Sequence, residues 1–209
     1  MPKMIKKPMR AYKFRTLNNF ENIADIFCNN RFYAAHHLEL NDPMEGMIRF
    51  EADVQQEDIN LVNQFNENIR ICSFSKSFDN LLLWAHYADG FKGICIELEL
   101  NSSIVPLAEV SYLDSFVVGN DILKINKDLQ IAALLVKNNA WRYEKEIRVI
   151  TKQQFVCDPG VNIKSVLLGV RTPDSIKQIL RQTLPSQIDV WETTICEKNN
   201  KVKKTQTIT

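Results

Sequence analysis

The sequence has no CxxC pair, no apolar run that approaches the length of a membrane span and no excess of charge of either sign. Its five cysteines, Cys28, Cys72, Cys95, Cys157 and Cys196, stand far apart and are odd in number, which speaks against a disulfide framework and fits a reducing compartment. Lysine and arginine number 26 against 25 acids. No global field therefore marks nucleic acid or a membrane surface as partner, and any contact with nucleic acid has to be local. The three histidines, His36, His37 and His86, have no histidine or cysteine at zinc-ligand spacing, so no metal is expected. The early lysines lack the apolar stretch of a signal peptide, and a cytoplasmic protein is expected.

What is present is ordinary globular material: 209 residues, 45% hydrophobic and 24% charged. That length and composition suit one domain with a sizeable core, expected over about residues 11–197. Basic residues gather at both ends, Lys3, Lys6, Lys7 and Arg10 in front and Lys198, Lys201, Lys203 and Lys204 behind. They read as solvated, frayed termini.

Hydrophobic periodicity orders the elements. "AYKFRTL" alternates as a half-buried strand, and Phe20, Ile23, Ile26 and Phe27 follow at helical spacing. "RFYAAHHL" reads as a second strand closed by the turn "NDP", "MEGMIRFEADV" as extended, and "INLVNQFNENI" as a short helix. "IRICSFSK" is a strand before the helix "DNLLLWAHYADG", with Asp79 as cap and Gly90 as stop. "GICIELEL" alternates so that Ile94, Ile96, Leu98 and Leu100 cover the core with one face only, and "LAEVSYL" is the next strand. The stripe Ile122, Ile125, Leu129, Ala132, Ala133 and Val136 predicts the longest helix, over 121–140. "WRYEKEIRVI" is charged but otherwise reads as a buried strand. "SVLLGV" is another strand, Thr172 caps a helix that begins at Pro173, and "IDVWETTICE" ends the fold. Strands outnumber helices without strict alternation, which predicts an α+β domain with a mixed, mostly antiparallel sheet and flanking helices.

"YKFRTLNNFENIADIFCNNRFYAAHHLELNDPMEG", "ICSFSKSFDNLLLWAHYADGFKGICIEL" and "WRYEKEIRVI" followed by "LLGV" together resemble a large family of bacterial proteins known only as a domain of unknown function. The resemblance spans roughly residues 12–170. The layout of a first strand with a polar residue beside an aromatic, then helix, strand and a late-strand glutamate, is also similar to ADP-ribosyltransferase-type folds. The Ser-Thr-Ser triplet often seen in those enzymes is not present here.

That second resemblance implies NAD as the nucleotide. Cleaving a ribosyl bond passes through an oxocarbenium-like state and needs a carboxylate near the ribose and cationic donors for the diphosphate. On a strand over 143–150, Glu144, Glu146, Arg148 and Ile150 share a face, so Glu146 or Glu144 can supply the carboxylate. A plain Glu146–Arg148 ion pair explains the same motif. Arg15 can clamp a phosphate, Tyr12 can stack on a base, and Ser73 and Ser75 can donate to a ribose. Tyr12 as core, Arg15 as surface charge and ordinary strand serines are the structural alternatives. His86 and Tyr87 lie on a helix end of the kind that walls a pocket, while Trp84 and Tyr87 equally suit a packed helix face.

Three function classes follow. The first is an NAD-using transferase or glycohydrolase, in the defence or mobile-element setting that the family resemblance implies. The second is a magnesium-dependent nuclease using Asp42, Glu45, Glu97 and Glu144, although an acid-acid-x-lysine signature is missing. The third is a non-catalytic sensor or interaction module, such as a binder of a small molecule or a phage component in a bacterial defence or mobile element.

Overall fold

A computed structural model describes residues 4–36, 39–42, 49–60, 69–115, 117–119, 129–157 and 159–207. It is a mixed α+β structure built on a mostly antiparallel sheet with few helices. The main sheet contains ten strands: β1 (Met4–Ile5), β2 (Met9–Arg15), β4 (Ala35–His36), β6 (Arg70–Ser75), β7 (Ile94–Leu100), β8 (Leu107–Glu109), β12 (Glu146–Thr151), β14 (Val161–Leu168), β15 (Asp189–Cys196) and β16 (Lys201–Thr207). Their order is β1-β8-β12-β6-β2-β7-β14-β15-β16, with β4 also on β6, and only β14 and β15 run parallel. Three two-stranded pairs lie beside it: β3 (Arg31–Tyr33) with β13 (Phe155–Cys157), β5 (Arg49–Phe50) with β10 (Val117–Val118), and β9 (Ser111–Leu113) with β11 (Val136–Asn138).

The central strands are buried on both sides. One side packs Ala11, Phe74, Ile96, Leu98, Ile147 and Val149 against Ile23 and Ile26 of α1 (Phe20–Asn29). Leu180 of α4 (Asp174–Thr183) closes the same core. The other side packs Tyr12, Phe14, Cys95 and Leu167 against Leu83 and Trp84 of α2 (Leu81–Tyr87). Trp84 is fully buried, meets Phe14 edge-on at 5.3 Å and donates its indole N–H to the Phe78 carbonyl at 2.7 Å. It is core, as the packed-helix alternative has it. The expectation that β7 covers the core with one face only is corrected by this second layer, because Cys95 and Glu97 on its opposite face are buried too.

Local chemistry sets the element ends. Asn19 caps α1 by accepting from the Asn22 N–H, and Asn30 ends it at φ 45°, a conformation asparagine tolerates. Asn80, not Asp79, caps α2; Asp79 instead accepts from Ser77 and pairs with Lys201 at 2.5 Å. Pro173 is the N-cap of α4, while Thr172 donates its hydroxyl to the Gly93 carbonyl at 3.1 Å. Gly93 itself lies against the Arg15 carbonyl where no Cβ would fit, and this fixes the end of β2 beside β7.

The long helix expected over 121–140 is also corrected. Residues 120–128 lie outside the described residues, α3 spans only Leu129–Ala133, and Val136 opens β11, which pairs in parallel with β9. Much of the extended segment and the short helix expected between 44 and 69 lies outside the described residues as well. At the C-terminal end the expected fraying gives way to β16, whose Val202 is buried and whose Lys204 pairs with buried Glu97 at 2.5 Å. No helix among the described residues is long and apolar enough to cross a membrane.

Candidate functional site

The site begins where the sheet divides. Every residue of β6 pairs with β12 on one side, but on the other side β6 meets β2 only at Tyr12–Ser75 and β4 at Ala35–Ile71 and His36–Arg70. Among the described residues, no strand fills the interval around Ser73. Side chains cap the exposed backbone there: the Lys13 amine donates to the Ser73 carbonyl at 2.5 Å, and Arg15 Nη1 reaches the Phe14 carbonyl at 3.4 Å. The gap opens into a cavity of about 370 Å³, within the range of small-ligand pockets.

Opposite Lys13 and Arg15 stands a carboxylate pair. Glu146 is the first residue of β12, whereas Glu144 is the last of a 3-10 helix (Asn139–Glu144), and Lys145 turns the chain between them at φ 47°. The expected strand over 143–150 is therefore corrected, since it starts at Glu146. The two acids nevertheless meet, because the buried Lys137 amine bridges them at 2.7 Å to Glu144 and 3.3 Å to Glu146. Arg148, fully buried, holds Glu146 through Nε at 2.8 Å and donates Nη1 to the Leu134 carbonyl at 2.6 Å. The Glu146–Arg148 pair of the alternative reading is present, but inside the protein and not in water. The Ser73 side chain also bonds Glu146. Tyr87 donates its phenol to Glu144 at 2.5 Å and accepts from Asn41 at 2.7 Å.

These surroundings drive the two acids apart. Burial would raise Glu146, but Arg148 and Lys137 outweigh it and hold the carboxyl down at about 2. For Glu144 burial wins over Lys137 and Tyr87, and its pKa is raised. Such divergence is the usual arrangement behind an ionised carboxylate working beside a proton carrier. Burial and the Glu144 carboxylate raise Tyr87. Across the cavity, burial first and the neighbouring Arg15 second lower the Lys13 amine to about 8.

Of the eight residues expected from sequence, seven line this cavity: Arg15, Tyr12, Ser73, Ser75, Tyr87, Glu144 and Glu146. His86 does not. Leu83 and Tyr87, four apart on α2, face the cavity, and His86 is turned away, exposed, with its ring 6.2 Å from that of Tyr143. Two of the seven have structural duties. The Ser75 hydroxyl gives its proton to the Glu144 carbonyl at 2.6 Å and accepts from the Ser77 N–H at 3.1 Å, so it ties β6 to the 3-10 helix. The Tyr12 ring is buried against Phe78 at 5.3 Å. Lys13, Lys137, Tyr33 and Asn41 were not singled out from sequence. Lys13 stood in the alternating phrase "YKFR", but Lys137 was hidden in the expected helix.

Among the described residues, the carboxylates named for magnesium form no common metal cluster, and no three His, Cys, Asp or Glu side chains could hold a metal ion together. Glu97 is engaged by Lys204 at 2.5 Å, Ser165 at 2.6 Å and Arg10 at 3.1 Å, and Glu45 lies outside the described residues. Comparison of the chain with family models, with curated proteins and with solved structures returns no match.

Proposed function

We propose that the split-sheet cavity binds a pyrophosphate-bearing nucleotide of the NAD type, and that the chain cleaves or transfers its ribosyl group on an ADP-ribosyltransferase-like fold. The observation that carries this reading is how the charges of the cavity pair. Glu144 and Glu146 are matched by Lys137 and Arg148. Among the described residues, Lys13 and Arg15 have no carboxylate within ion-pair distance, yet both line the cavity. Glu39, which also lines the cavity, is held by the Tyr33 hydroxyl and the His36 N–H, which leaves Lys13 and Arg15 to a diphosphate, and ammonium and guanidinium donors bond one well.

In this reading Arg15 and Lys13 hold the diphosphate, and Tyr33 or Tyr87 offers a ring to the base. Glu146, ionised throughout the neutral range, stabilises the positive charge that develops on the ribose as the glycosidic bond breaks. Glu144, with its raised pKa, takes the proton of the attacking group. One observation favours the non-catalytic sensor instead: both carboxylates already accept from a buried cation, and Glu144 from a phenol as well. Incubation with NAD and chromatography for free nicotinamide separates the two. Release that falls at least tenfold in Arg15→Gln supports the enzyme, saturable binding without release supports the sensor, and neither binding nor release removes the proposal.

A further inference from the structure

We propose that Lys13 is a nucleophilic amine able to form an imine with a small anionic aldehyde or ketone, with Arg15 holding the ligand's phosphate or carboxylate. This reactivity stands whether or not NAD is the natural ligand.

Three features of Lys13 differ from those of a surface lysine. Its amine lines a half-open cavity whose wall also carries the apolar side chains of Ile71, Phe74 and Leu83. Among the described residues no carboxylate comes within ion-pair distance to hold it as an ammonium. Among the described residues its one hydrogen bond runs to the Ser73 carbonyl, which a neutral amine can keep while its lone pair remains free. The charged and titratable groups around it are Arg15 on its own strand, Cys72 on β6, and Glu146 and Arg148 on β12. Desolvation beside a second cation is a standard way to activate a lysine. With the amine near 8 instead of 10.5, the neutral fraction at pH 7.5 exceeds that of an ordinary lysine on the order of a hundredfold.

The step balances without any further reactant. The Lys13 lone pair attacks the carbonyl carbon, the nitrogen gives up its two protons, the carbonyl oxygen carries them away as water, and a C=N bond replaces C=O. Arg15, also lining the cavity, supplies the anchor for an anionic group on the same ligand.

Pyridoxal 5′-phosphate serves as probe. The folded full chain is incubated with it at pH 7.5 in the absence of NAD, the imine is reduced with borohydride, and the modified lysines are mapped by peptide mass spectrometry. Lys13 is expected to carry at least ten times the modification of the average exposed lysine such as Lys164 or Lys198. Arg15→Gln is expected to cut that excess at least fivefold while leaving modification of the other lysines unchanged. Modification of Lys13 at or below the level of the exposed lysines overturns the proposal, as does an excess that Arg15→Gln leaves intact.

Discussion

Replacing Glu146 by glutamine keeps the side-chain volume but removes a charge that Arg148 and Lys137 share from within the protein. The amide oxygen can still accept from Arg148 Nε, now 2.8 Å from Oε1. The amide nitrogen must then face Arg148 Nη2 and the Lys137 amine, which approach Oε2 at 3.1 and 3.3 Å, so donors meet donors. The cost follows from the depressed carboxyl. A group held at about 2 instead of 4.5 contributes about 3 kcal/mol to folding, in line with about 3–5 kcal/mol for breaking a buried pair. Because the folded-state value is the lower one, this contribution is complete above about pH 4.5 and is lost as pH falls toward 2. Urea unfolding followed by the fluorescence of Trp84, Trp141 and Trp191 measures it. Glu146→Gln is expected to lose about 3 kcal/mol at pH 7 and about 2 kcal/mol at pH 3.5. A loss below about 1 kcal/mol at pH 7 would mean that water screens the pair and that the site is not enclosed.

Three further outcomes follow from the same contacts. Lys204→Ala deprives buried Glu97 of its closest cation and is expected to cost about 1–3 kcal/mol in urea unfolding; a loss under about 0.5 kcal/mol would show that β16 does not dock on the sheet. Tyr87→Phe removes the donor to Glu144 and is expected to cost about 1–2 kcal/mol. That hydrogen bond lowers Glu144, so its loss moves the carboxyl further up and shifts the acid limb of nicotinamide release to higher pH, and an unmoved limb would take Glu144 out of the reaction. His86→Ala, exposed and outside the cavity, is expected to change stability by less than about 0.5 kcal/mol and to leave nicotinamide release unaltered; a tenfold fall in release would place it in the site.

Those parts of the fold governed by local periodicity were legible in the sequence. Alternation marked β2, β6 and β7, and the spacing of Ile23 and Ile26 marked α1. Arg15, Ser73, Glu144 and Glu146 were expected to share a site from residue type and position, and all four line one cavity. Pairing was not legible, because it depends on residues far apart in the chain. Leu129, Ala132, Ala133 and Val136 fit a helical stripe, but Val136 and Lys137 instead pair with Ser111 and Tyr112. That exchange carries Lys137 between the two glutamates. The break before β12 was hidden as well, since the left-handed turn falls on Lys145 and not on a glycine or asparagine that would have signalled it. The divergence of β2 from β6 after Tyr12–Ser75 leaves no trace in either strand's own pattern, and so the place of Lys13 in the cavity wall was invisible.

Calorimetric titration of NAD into the wild-type chain and into the Lys13→Met/Arg15→Gln double variant tests the cavity most directly. Neither side chain has a carboxylate partner within 4 Å among the described residues, so the double variant strands no buried acid; it loses the hydrogen bonds to the Ser73 and Phe14 carbonyls along with both diphosphate donors, and urea unfolding checks that it remains folded. Saturable binding to the wild type is expected, weakened at least a hundredfold in the variant by the loss of about 1.5–3 kcal/mol per charged hydrogen bond. Equal affinity in both proteins, or no heat from the wild type, would contradict it.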